Sequence, residues 1–343
     1  MVHVSPSVLM GHVQGVLAAA GLPKDQAEVV AQSLVESDLA GHNSHGVLRV
    51  GAYVNAIERG AINPQAKPET VRSSATTALI DGNGAIGIVV AQQAMALAME
   101  KANEHDLGMI AVRNLGHTGR MGAYTSYAAS QGYVAMIIGA GSRPGGTVAP
   151  YGAASAVFNT DPMSWGLPAK VFPAVYTDFA TSVAAWGKVQ NAIDRGKPIP
   201  EGWILDSEGR PTTDPNDLRN GVLLPFGAHK GSGLAFVVEA LTGGLSGSSC
   251  APLPDYKPQY TLVMIAIRVE AFQPLDEFRA RIDGLVNAVH SARPAEGFDR
   301  ILVPGETEWL NRQQGLRVGL EISDAAWERI VAAGAKYGYT VSL

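Results

Sequence analysis

The sequence predicts a mixed α/β fold, in which a helical N-terminal region precedes an antiparallel or mixed sheet. Apolar residues recur at helical spacing up to about residue 57, and short apolar runs separated by turns follow between residues 132 and 185. The 39 glycines and 20 prolines among 343 residues indicate many turns rather than a helical bundle. The chain is long enough for two domains, and a hydrophobic fraction of 46% can supply a sizeable core.

Composition excludes several classes of function. A net charge of −5 without a block of like charges offers no basic surface for nucleic acid. No apolar run is long enough to span a bilayer, and the first residues do not resemble a signal peptide, so we expect a cytoplasmic protein without a membrane partner. The single cysteine, Cys250, excludes an intrachain disulfide and a CxxC metal site.

The N-terminal region is predicted to form three helices. The first runs from a cap at Ser5 or Ser7 to Ala20, and the second covers residues 24–39 after a break at residues 21–23. The third is expected to begin at Ser44, or Asn43, as N-cap, which places His45 in its first turn. Its apolar positions recur at helical spacing: Val47, Val50, Val54 and Ile57.

Residues 41–49 (GHNSHGVLR) are the first candidate site. Spacing of i, i+4 would put His45 and Arg49 on one face of that helix, where a small anion could be held beside a proton donor. A helix N-terminus also favours anions. The alternative is that His45 caps or packs and that Arg49 makes a surface ion pair.

Residues 82–87 (GNGAIG) match the dinucleotide-binding pattern G-x-G-x-x-G, follow a predicted strand at residues 78–81 and precede a helix at about residues 88–104. The surroundings argue against a Rossmann site. The next predicted strand, residues 109–113, is preceded by Asp106 and followed by Asn114, so an acidic residue is missing where the ribose would need one.

His117 is the second candidate catalytic histidine. It lies in a glycine-rich turn, residues 114–122, between a strand and an alanine-rich helix at residues 122–130. Loops after strands on a rigid scaffold are where catalytic groups concentrate. A core histidine would more often have large apolar neighbours than Gly116, Thr118 and Gly119.

Later motifs suggest binding of a phosphorylated ligand. Strands are expected at residues 133–139, 157–158, 165–168 and 174–178, with a glycine-rich loop at residues 141–147. After the last of them, Asp178 could bind a ribose or cap a helix at residues 180–189. Residues 227–233 (GAHKGSG) open an apolar helix and carry Lys230, a pattern typical of an anion site but not of a Walker A loop. A strand at residues 260–269, a helix at 275–291, an acidic turn at 302–308 and a final helix capped near Ser323 complete the chain.

Five segments, residues 41–46, 114–117, 178–182, 224–231 and 302–306, together resemble the malate/L-lactate dehydrogenase family of the second, non-Rossmann type, in that family's order over nearly the whole chain. Residues 200–206 and 211–213 look closest to its hydroxycarboxylate dehydrogenase branch. The resemblance implies a helical domain plus a largely antiparallel cofactor-binding sheet, usually as a homodimer. It divides the chain into a helical, substrate-side domain (residues 1–120 with 310–343) and a dinucleotide-binding domain (residues 121–309).

The resemblance implies an oxidoreductase that uses NAD or NADP and acts on a small carboxylate, either a 2-hydroxy or 2-oxo acid or a cyclic imino acid. In some family members the proton-transferring histidine is described at the position of His45, and in others at that of His117. The resemblance also implies that Ser44 and Arg49 line the substrate pocket. The implied cofactor contacts are Asp178, Phe179, Ala180, Thr181, Ser182, His229, Lys230, Gly305, Glu306 and Thr307. Asp161 stands where the family more often has asparagine, which adds a possible negative charge near the cofactor.

We favour His45 over His117 as the proton donor, because Arg49 follows His45 at a fixed separation and could anchor the substrate carboxylate. A rival is a dinucleotide-binding protein without turnover, which would not need both histidines and Arg49. A metal-dependent hydrolase using His42, His45 and His117 is disfavoured, because no carboxylate lies at ligand spacing beside them, and we expect no metal.

Overall fold

The computed structural model describes residues 1–141 and 143–342, so Ser142, in the predicted glycine-rich loop, and Leu343 lie outside the described residues. The helices are α1 (Pro6–Ala19), α2 (Lys24–Leu39), α3 (Val50–Glu58), α4 (Gly87–His105), α5 (Gly122–Ser130), α6 (Trp186–Asp194), α7 (His229–Glu239), α8 (Leu275–His290), α9 (Glu306–Val318) and α10 (Asp324–Ala335). The strands are β1 (Val2–Val4), β2 (Glu69–Ser73), β3 (Thr77–Ala85), β4 (Leu107–Leu115), β5 (Tyr133–Ala140), β6 (Met163–Leu167), β7 (Val175–Phe179), β8 (Ile204–Leu205), β9 (Pro211–Thr212), β10 (Val222–Leu223), β11 (Tyr260–Arg268) and β12 (Leu320–Ile322). None of the described helices is long and apolar enough to cross a membrane.

A seven-stranded sheet in the order β2-β3-β4-β11-β5-β6-β7 forms the centre of the molecule. Strands β3 and β4 pair in parallel, joined by the crossover helix α4, and the other neighbouring pairs in this sheet are antiparallel. The prediction of a mixed, largely antiparallel sheet is therefore confirmed. Helices α4 and α5 cover one face, where residues such as Ile110, Ile137 and Met264 are fully buried.

The G-x-G-x-x-G segment serves the packing of this sheet. Gly82 lies inside β3, and Gly87 begins α4. A Cβ atom on Gly87 would lie 2.0 Å from the carbonyl oxygen of Gly116, and one on Gly82 would lie 2.7 Å from that of Asn114. The glycines therefore let β3 and α4 approach the end of β4. The prediction that the fold is not a Rossmann fold is confirmed.

The two ends of the chain meet in a helical layer. Helices α1, α2, α3 and α10 share one buried cluster that includes Leu9, Leu34 and Ile330, and β1 pairs antiparallel with β12. Ser323 caps α10 by accepting a hydrogen bond from the N–H of Ala326 at 3.2 Å, as its position predicted. The expected domain boundary at residue 120 falls within the large sheet, since β2–β4 precede it and β5–β7 follow it. The domain division remains a prediction.

Two local predictions are wrong, and one of the two alternatives for Asp178 is excluded. Residues 180–189 do not form one helix capped by Asp178: Asp178 belongs to β7, and α6 begins only at Trp186. Residues 157–158 make an isolated bridge to Val148 rather than a strand. The acidic turn at residues 302–308 contains the first turn of α9, which begins at Glu306.

Candidate active site

A cavity of about 360 Å³ brings both predicted histidines together. One side, which we call the helical wall, consists of Ser44, His45 and Arg49. The opposite side, the loop wall, consists of Arg143, Thr147, Asn159 and Thr160, which lie between β5 and β6. His117 and Tyr260 also line the cavity, and Trp186 and Gly187, at the start of α6, flank it.

The helical wall is built from two short 3₁₀ turns, Asn43–His45 and Val47–Arg49, and not from the first turn of a helix as predicted. Helix α3 begins at Val50. The interruption has a cause in Asp38, a buried residue of α2, whose Oδ2 accepts the N–H of Val47 at 2.8 Å. Gly46 lies against this carboxyl group, and a Cβ atom there would fall 2.0 Å from Oδ1 of Asp38. Only glycine leaves room for the buried acid under the turn.

Arg49 is held by the same turn. Its Nε donates to the carbonyl oxygen of Ser44 at 2.7 Å, and among the described residues it has no ion-pair partner. The alternative, in which Arg49 makes a surface ion pair, is therefore not met among the described residues. The guanidinium keeps its terminal N–H groups for the cavity, where a carboxylate could accept them in a charge-assisted contact.

His117 is fixed in one hydrogen-bonding state. Its Nδ1 lies 2.8 Å from the hydroxyl of Tyr53 and 3.3 Å from the N–H of Gly119. Because a backbone N–H can only donate, Nδ1 acts as an acceptor and the proton of the neutral ring resides on Nε2. Burial, together with Arg49 and His45, holds the pKa of His117 well below its usual range.

His45 is less constrained than His117. The two rings stack with their centroids 5.6 Å apart and an angle of 25° between planes. Nδ1 of His45 lies 3.0 Å from the hydroxyl of Ser44, which can donate or accept, so both neutral tautomers of His45 are available. Burial first, and then the nearby Arg49, lower the pKa of His45 to about 4.

The loop wall presents a second guanidinium. Arg143 stacks over the ring of Trp186, with its Cζ 5.4 Å from the ring centroid. Its carbonyl oxygen accepts the side chain of Asn159 at 3.2 Å and the N–H of Gly146 at 3.0 Å, so its backbone is fixed in a turn.

Asp161 lies behind the loop wall, and it is fully buried with a positive φ of 35°. Neither of its carboxyl oxygens has a hydrogen-bond partner among the described residues, and Oε1 of the buried Glu239 is also unpaired. Burial, followed by the proximity of Glu239, raises the pKa of Asp161 well above its usual range. Burial and the neighbouring acid thus both favour the neutral form of Asp161, the residue that departs from the family pattern.

The residues predicted to bind a cofactor lie along and beyond the edge strand β7. Asp178 accepts the N–H of Gly122, the first residue of α5, at 2.7 Å, and burial raises its pKa. The hydroxyl of Thr181 donates to the carbonyl of Thr160, and that of Ser182 to the carbonyl of Ala184. Phe179 is exposed, and Ala180 is half-buried. The two hydroxyls therefore hold the chain in place, while the side chain of Phe179 remains exposed.

The glycine loop before α7 meets the end of β7. The N–H of Phe226 donates to the carbonyl of Thr181 at 2.9 Å, and Gly231 packs so closely that a Cβ atom would lie 2.5 Å from that same oxygen. His229 and Lys230 follow at the exposed N-terminus of α7. The predicted segments at residues 178–182 and 229–230 are thus neighbours in space.

The third predicted segment lies at the opposite end of β7. Gly305, with a φ of 85°, packs against Tyr176, whose N–H donates to the carbonyl of Pro304 at 3.3 Å. Glu306 is buried and binds the ring of His290 at 2.7 Å, whereas Thr307 is exposed. Gly305 also borders a separate cleft of about 510 Å³ between α2, α4, α5 and α9.

Sequence reasoning missed four residues that shape the site: Asp38, Tyr53, Arg143 as a cavity residue, and Trp186. Tyr53 follows Arg49 by four positions, so helical spacing could have placed it beside the site. The others depend on contacts between distant segments. Nε2 of His42 lies within hydrogen-bonding distance of Oε1 of Glu308, at 3.1 Å. The described residues contain no group of three or more histidine, cysteine or acidic side chains arranged to hold a metal ion.

Comparison with known proteins agrees with this architecture. Residues 4–331 match the family model described as malate/L-lactate dehydrogenase. L-sulfolactate dehydrogenase from Methanothermobacter thermautotrophicus is 34% identical over 96% of this chain and 95% of its own length, and hydroxycarboxylate dehydrogenase B from Escherichia coli is 31% identical over 96% and 93%. Malate dehydrogenase from Entamoeba histolytica superposes with a TM-score of 0.95 at 28% identity, covering 100% of this chain and 99% of that one. A delta1-piperideine-2-carboxylate reductase from Pseudomonas syringae reaches 0.86 at 27% identity, covering 97% and 100%.

The chain is therefore an enzyme of the dehydrogenase class, and it belongs to the malate/L-lactate dehydrogenase family. Within that class it is a 2-hydroxy acid dehydrogenase, as the resemblance of its motifs predicted.

Proposed function

We propose that the protein interconverts a small 2-hydroxy acid and the corresponding 2-oxo acid with NAD or NADP, and that His45 gives and takes the proton. The observation that carries this proposal is the clustering of His45, His117 and Arg49 in one cavity of about 360 Å³. A bound nicotinamide ring would supply or accept the hydride at C2 of the substrate. The protein's own part is to anchor the carboxylate, to move the proton and to limit access of water.

Arg49 anchors the substrate carboxylate in this proposal. Since its Nε is already bound to Ser44, its terminal N–H groups are directed by a fixed turn, and a carboxylate bound there would lie one turn from His45. Such charge-assisted contacts are short and directional. Fixing both groups on one segment sets the distance between anchor and proton donor.

Two arguments support His45 over His117 as the proton carrier. Nδ1 of His117 is occupied as an acceptor, so His117 presents Nε2–H and can donate a hydrogen bond to the substrate oxygen, but it has no free lone pair to receive a proton. His45 can expose an unprotonated nitrogen because the hydroxyl of Ser44 accommodates either tautomer. We therefore assign proton transfer to His45 and polarisation of the substrate oxygen to His117.

The cofactor is proposed to lie along β7. Gly305 lies beside Tyr176 at one end of this edge, and the α7 N-terminus lies near Thr181 at the other. Residues 185–187, at the cavity, follow in the chain after residues 178–182. The seven residues from Tyr176 to Ser182 span about 20 Å. Lys230 and the exposed N-terminus of α7 are suited to a pyrophosphate.

Reduction of a cyclic imino acid on the same site is the second candidate, and the piperideine-2-carboxylate reductase among the similar structures supports it. The proton would then be exchanged with an imine nitrogen instead of a carbonyl oxygen. The candidate from another class is a dinucleotide-binding protein without turnover. Such a protein would not need both His45 and His117 in the cavity.

A homodimer in the cytoplasm is the proposed state. Helix α7 and its continuation expose four large apolar side chains, Phe236, Val237, Leu241 and Leu245, which a second copy of the chain could cover. Light scattering should give twice the chain mass of 35.9 kDa at micromolar concentration, and a single-chain mass would refute the dimer.

The central test is a rate measurement. Purified protein should oxidise NADH or NADPH with pyruvate, oxaloacetate, phenylpyruvate or a cyclic imino acid, and the ratio of the two cofactor rates identifies the cofactor. Binding of either cofactor without turnover of any of these substrates would favour the binding protein instead.

A further inference from the structure

Among the described residues, the cavity has two guanidinium groups and no acidic side chain in its lining. Arg49 lies in the helical wall and Arg143 in the loop wall. Neither forms an ion pair with another described residue, and Asp161, the buried acid behind the loop wall, has no exposed surface. One guanidinium suffices for the carboxylate at C1 of a 2-hydroxy acid, so the second is in excess of what the reaction requires.

Arg143 is held in a way that suits a ligand. Its backbone is fixed by two hydrogen bonds to its carbonyl oxygen, from Asn159 and from Gly146. Its guanidinium rests on the ring of Trp186, a contact that orients the planar group without consuming its N–H donors. An exposed arginine oriented in this way at a cavity lined by a second arginine is a preformed site for an anion.

We propose that Arg143 binds a second acid group of the substrate, so that the enzyme selects 2-hydroxy acids with a carboxylate or sulfonate at the far end over those with an alkyl group. This inference rests on the proposed function. Arg49 holds the C1 carboxylate beside His45, and Arg143 holds the distal anion across the cavity. A substrate with a terminal methyl group leaves the Arg143 guanidinium without a partner inside the cavity.

Malate and lactate provide the test, because they differ only in that the terminal methyl group of lactate carries a second carboxylate in malate. Rates of NAD(P)⁺ reduction are measured with racemic malate and racemic lactate for the unmodified enzyme and for Arg143→Gln, Arg143→Lys and Arg195→Gln. Arg195, at the end of α6, is exposed and does not line the cavity, so it is the matched control for loss of a nearby positive charge.

The unmodified enzyme should prefer malate, and Arg143→Gln should lower kcat/KM for malate by about 10- to 100-fold, the usual effect of removing a hydrogen bond to a charged group. Lactate should be nearly unaffected, Arg143→Lys should recover part of the malate activity, and Arg195→Gln should behave like the unmodified enzyme. Fluorescence titration should give the same Kd for NADH or NADPH in all four proteins.

Three results would overturn the inference while leaving the proposed function intact: equal activity of the unmodified enzyme on both acids, equal losses on both acids in Arg143→Gln, or a loss confined to cofactor affinity. The last would assign Arg143 to the cofactor. An unmodified enzyme that oxidises neither these nor other 2-hydroxy acids would refute the proposed function first, and the inference with it.

Discussion

The two walls of the cavity each rest on a buried aspartate, but the two aspartates are held in opposite ways. Asp38, behind the helical wall, accepts a hydrogen bond from the N–H of Val47, and burial raises its pKa to about 7. Asp161, behind the loop wall, has no hydrogen-bond partner among the described residues and faces a second buried acid, Glu239.

The difference shows two ways of shaping a site with a buried acid. Asp38 acts through a specific contact that sets the path of the chain between His45 and Arg49. Asp161 makes no such contact, and its burial beside Glu239 favours the neutral form of its carboxyl group. Substitutions should therefore disturb the helical wall through geometry and the loop wall through charge.

The largest expected effect is the loss of turnover when His45, in the helical wall, is replaced. His45→Asn should lower kcat by about 100-fold or more, since a positioned general acid or base contributes at least that much, while binding of NAD(P)H is retained. His117→Asn should also slow turnover, through loss of polarisation. If His45→Asn keeps most of its kcat and His117→Asn alone abolishes it, the two assignments are exchanged.

The pH dependence of the reaction sharpens the same assignment. Because the pKa of His45 is about 4, the protonated ring needed for reduction becomes scarce above that pH. Above about pH 5, kcat/KM for reduction should fall about tenfold per pH unit as the protonated His45 is lost. In the same range, titration of His45 should leave kcat/KM for oxidation unchanged. Rate profiles between pH 4 and 9 in both directions measure this, and an oxidation limb with a midpoint near neutrality would contradict it.

Gly46→Ala tests the geometric role of Asp38. The added Cβ would collide with the buried carboxyl group, so the free energy of unfolding should fall by about 1–3 kcal/mol, the usual cost of overpacking, and turnover should fall with it. Asp38→Ala removes the obstacle, so the double variant should lose less than the sum of the two single losses. Urea unfolding of the four proteins measures the coupling, and strict additivity would show that the clash is relieved elsewhere.

Asp161→Asn tests the charge argument on the loop wall, with the smallest expected effect. A raised pKa means that the folded state binds more protons than the unfolded state above about pH 4, so Asp161 costs stability as pH rises from its unfolded pKa towards its folded one. The amide has no such dependence. The variant should gain on the order of 1 kcal/mol at neutral or higher pH and nothing near pH 4. A variant that is less stable at pH 8 would mean that the carboxyl proton makes a contact that an amide cannot replace.

Sequence reasoning predicted the fold class and most elements because periodicity and glycine positions are local signals. It placed α1, α2, α4 and α8 within a few residues, and it rejected the dinucleotide motif on its surroundings. It misplaced the start of α3 because the interruption at Gly46 comes from Asp38, a residue of another helix. It left the two roles of Asp178 open, and the observed partner, Gly122, is 56 positions away and could not be inferred from spacing.

The candidate site was predicted only in part, because only some of its residues are close together in the sequence. Ser44, His45 and Arg49 are close in sequence, and the stacking of His45 on His117 could be proposed only through resemblance to a family. Tyr53, Arg143 and Trp186 carry no motif of their own. Their relation to the cavity arises from how β4, β5 and α6 are brought together, and only the assembled chain contains that information.

The two outer strands of the large sheet differ in how they resist association with other chains. Strand β2 is exposed along its whole length and carries Glu69 and Arg72, charges of the kind that discourage pairing between sheet edges. Strand β7 has no basic residue, and its one acid, Asp178, is engaged with α5. If the cofactor lies along β7 as proposed, the bound dinucleotide also shields the less protected edge. The enzyme purified without NAD(P) should then aggregate faster on warming than the same enzyme with the cofactor added, and turbidity at matched concentrations would show whether it does.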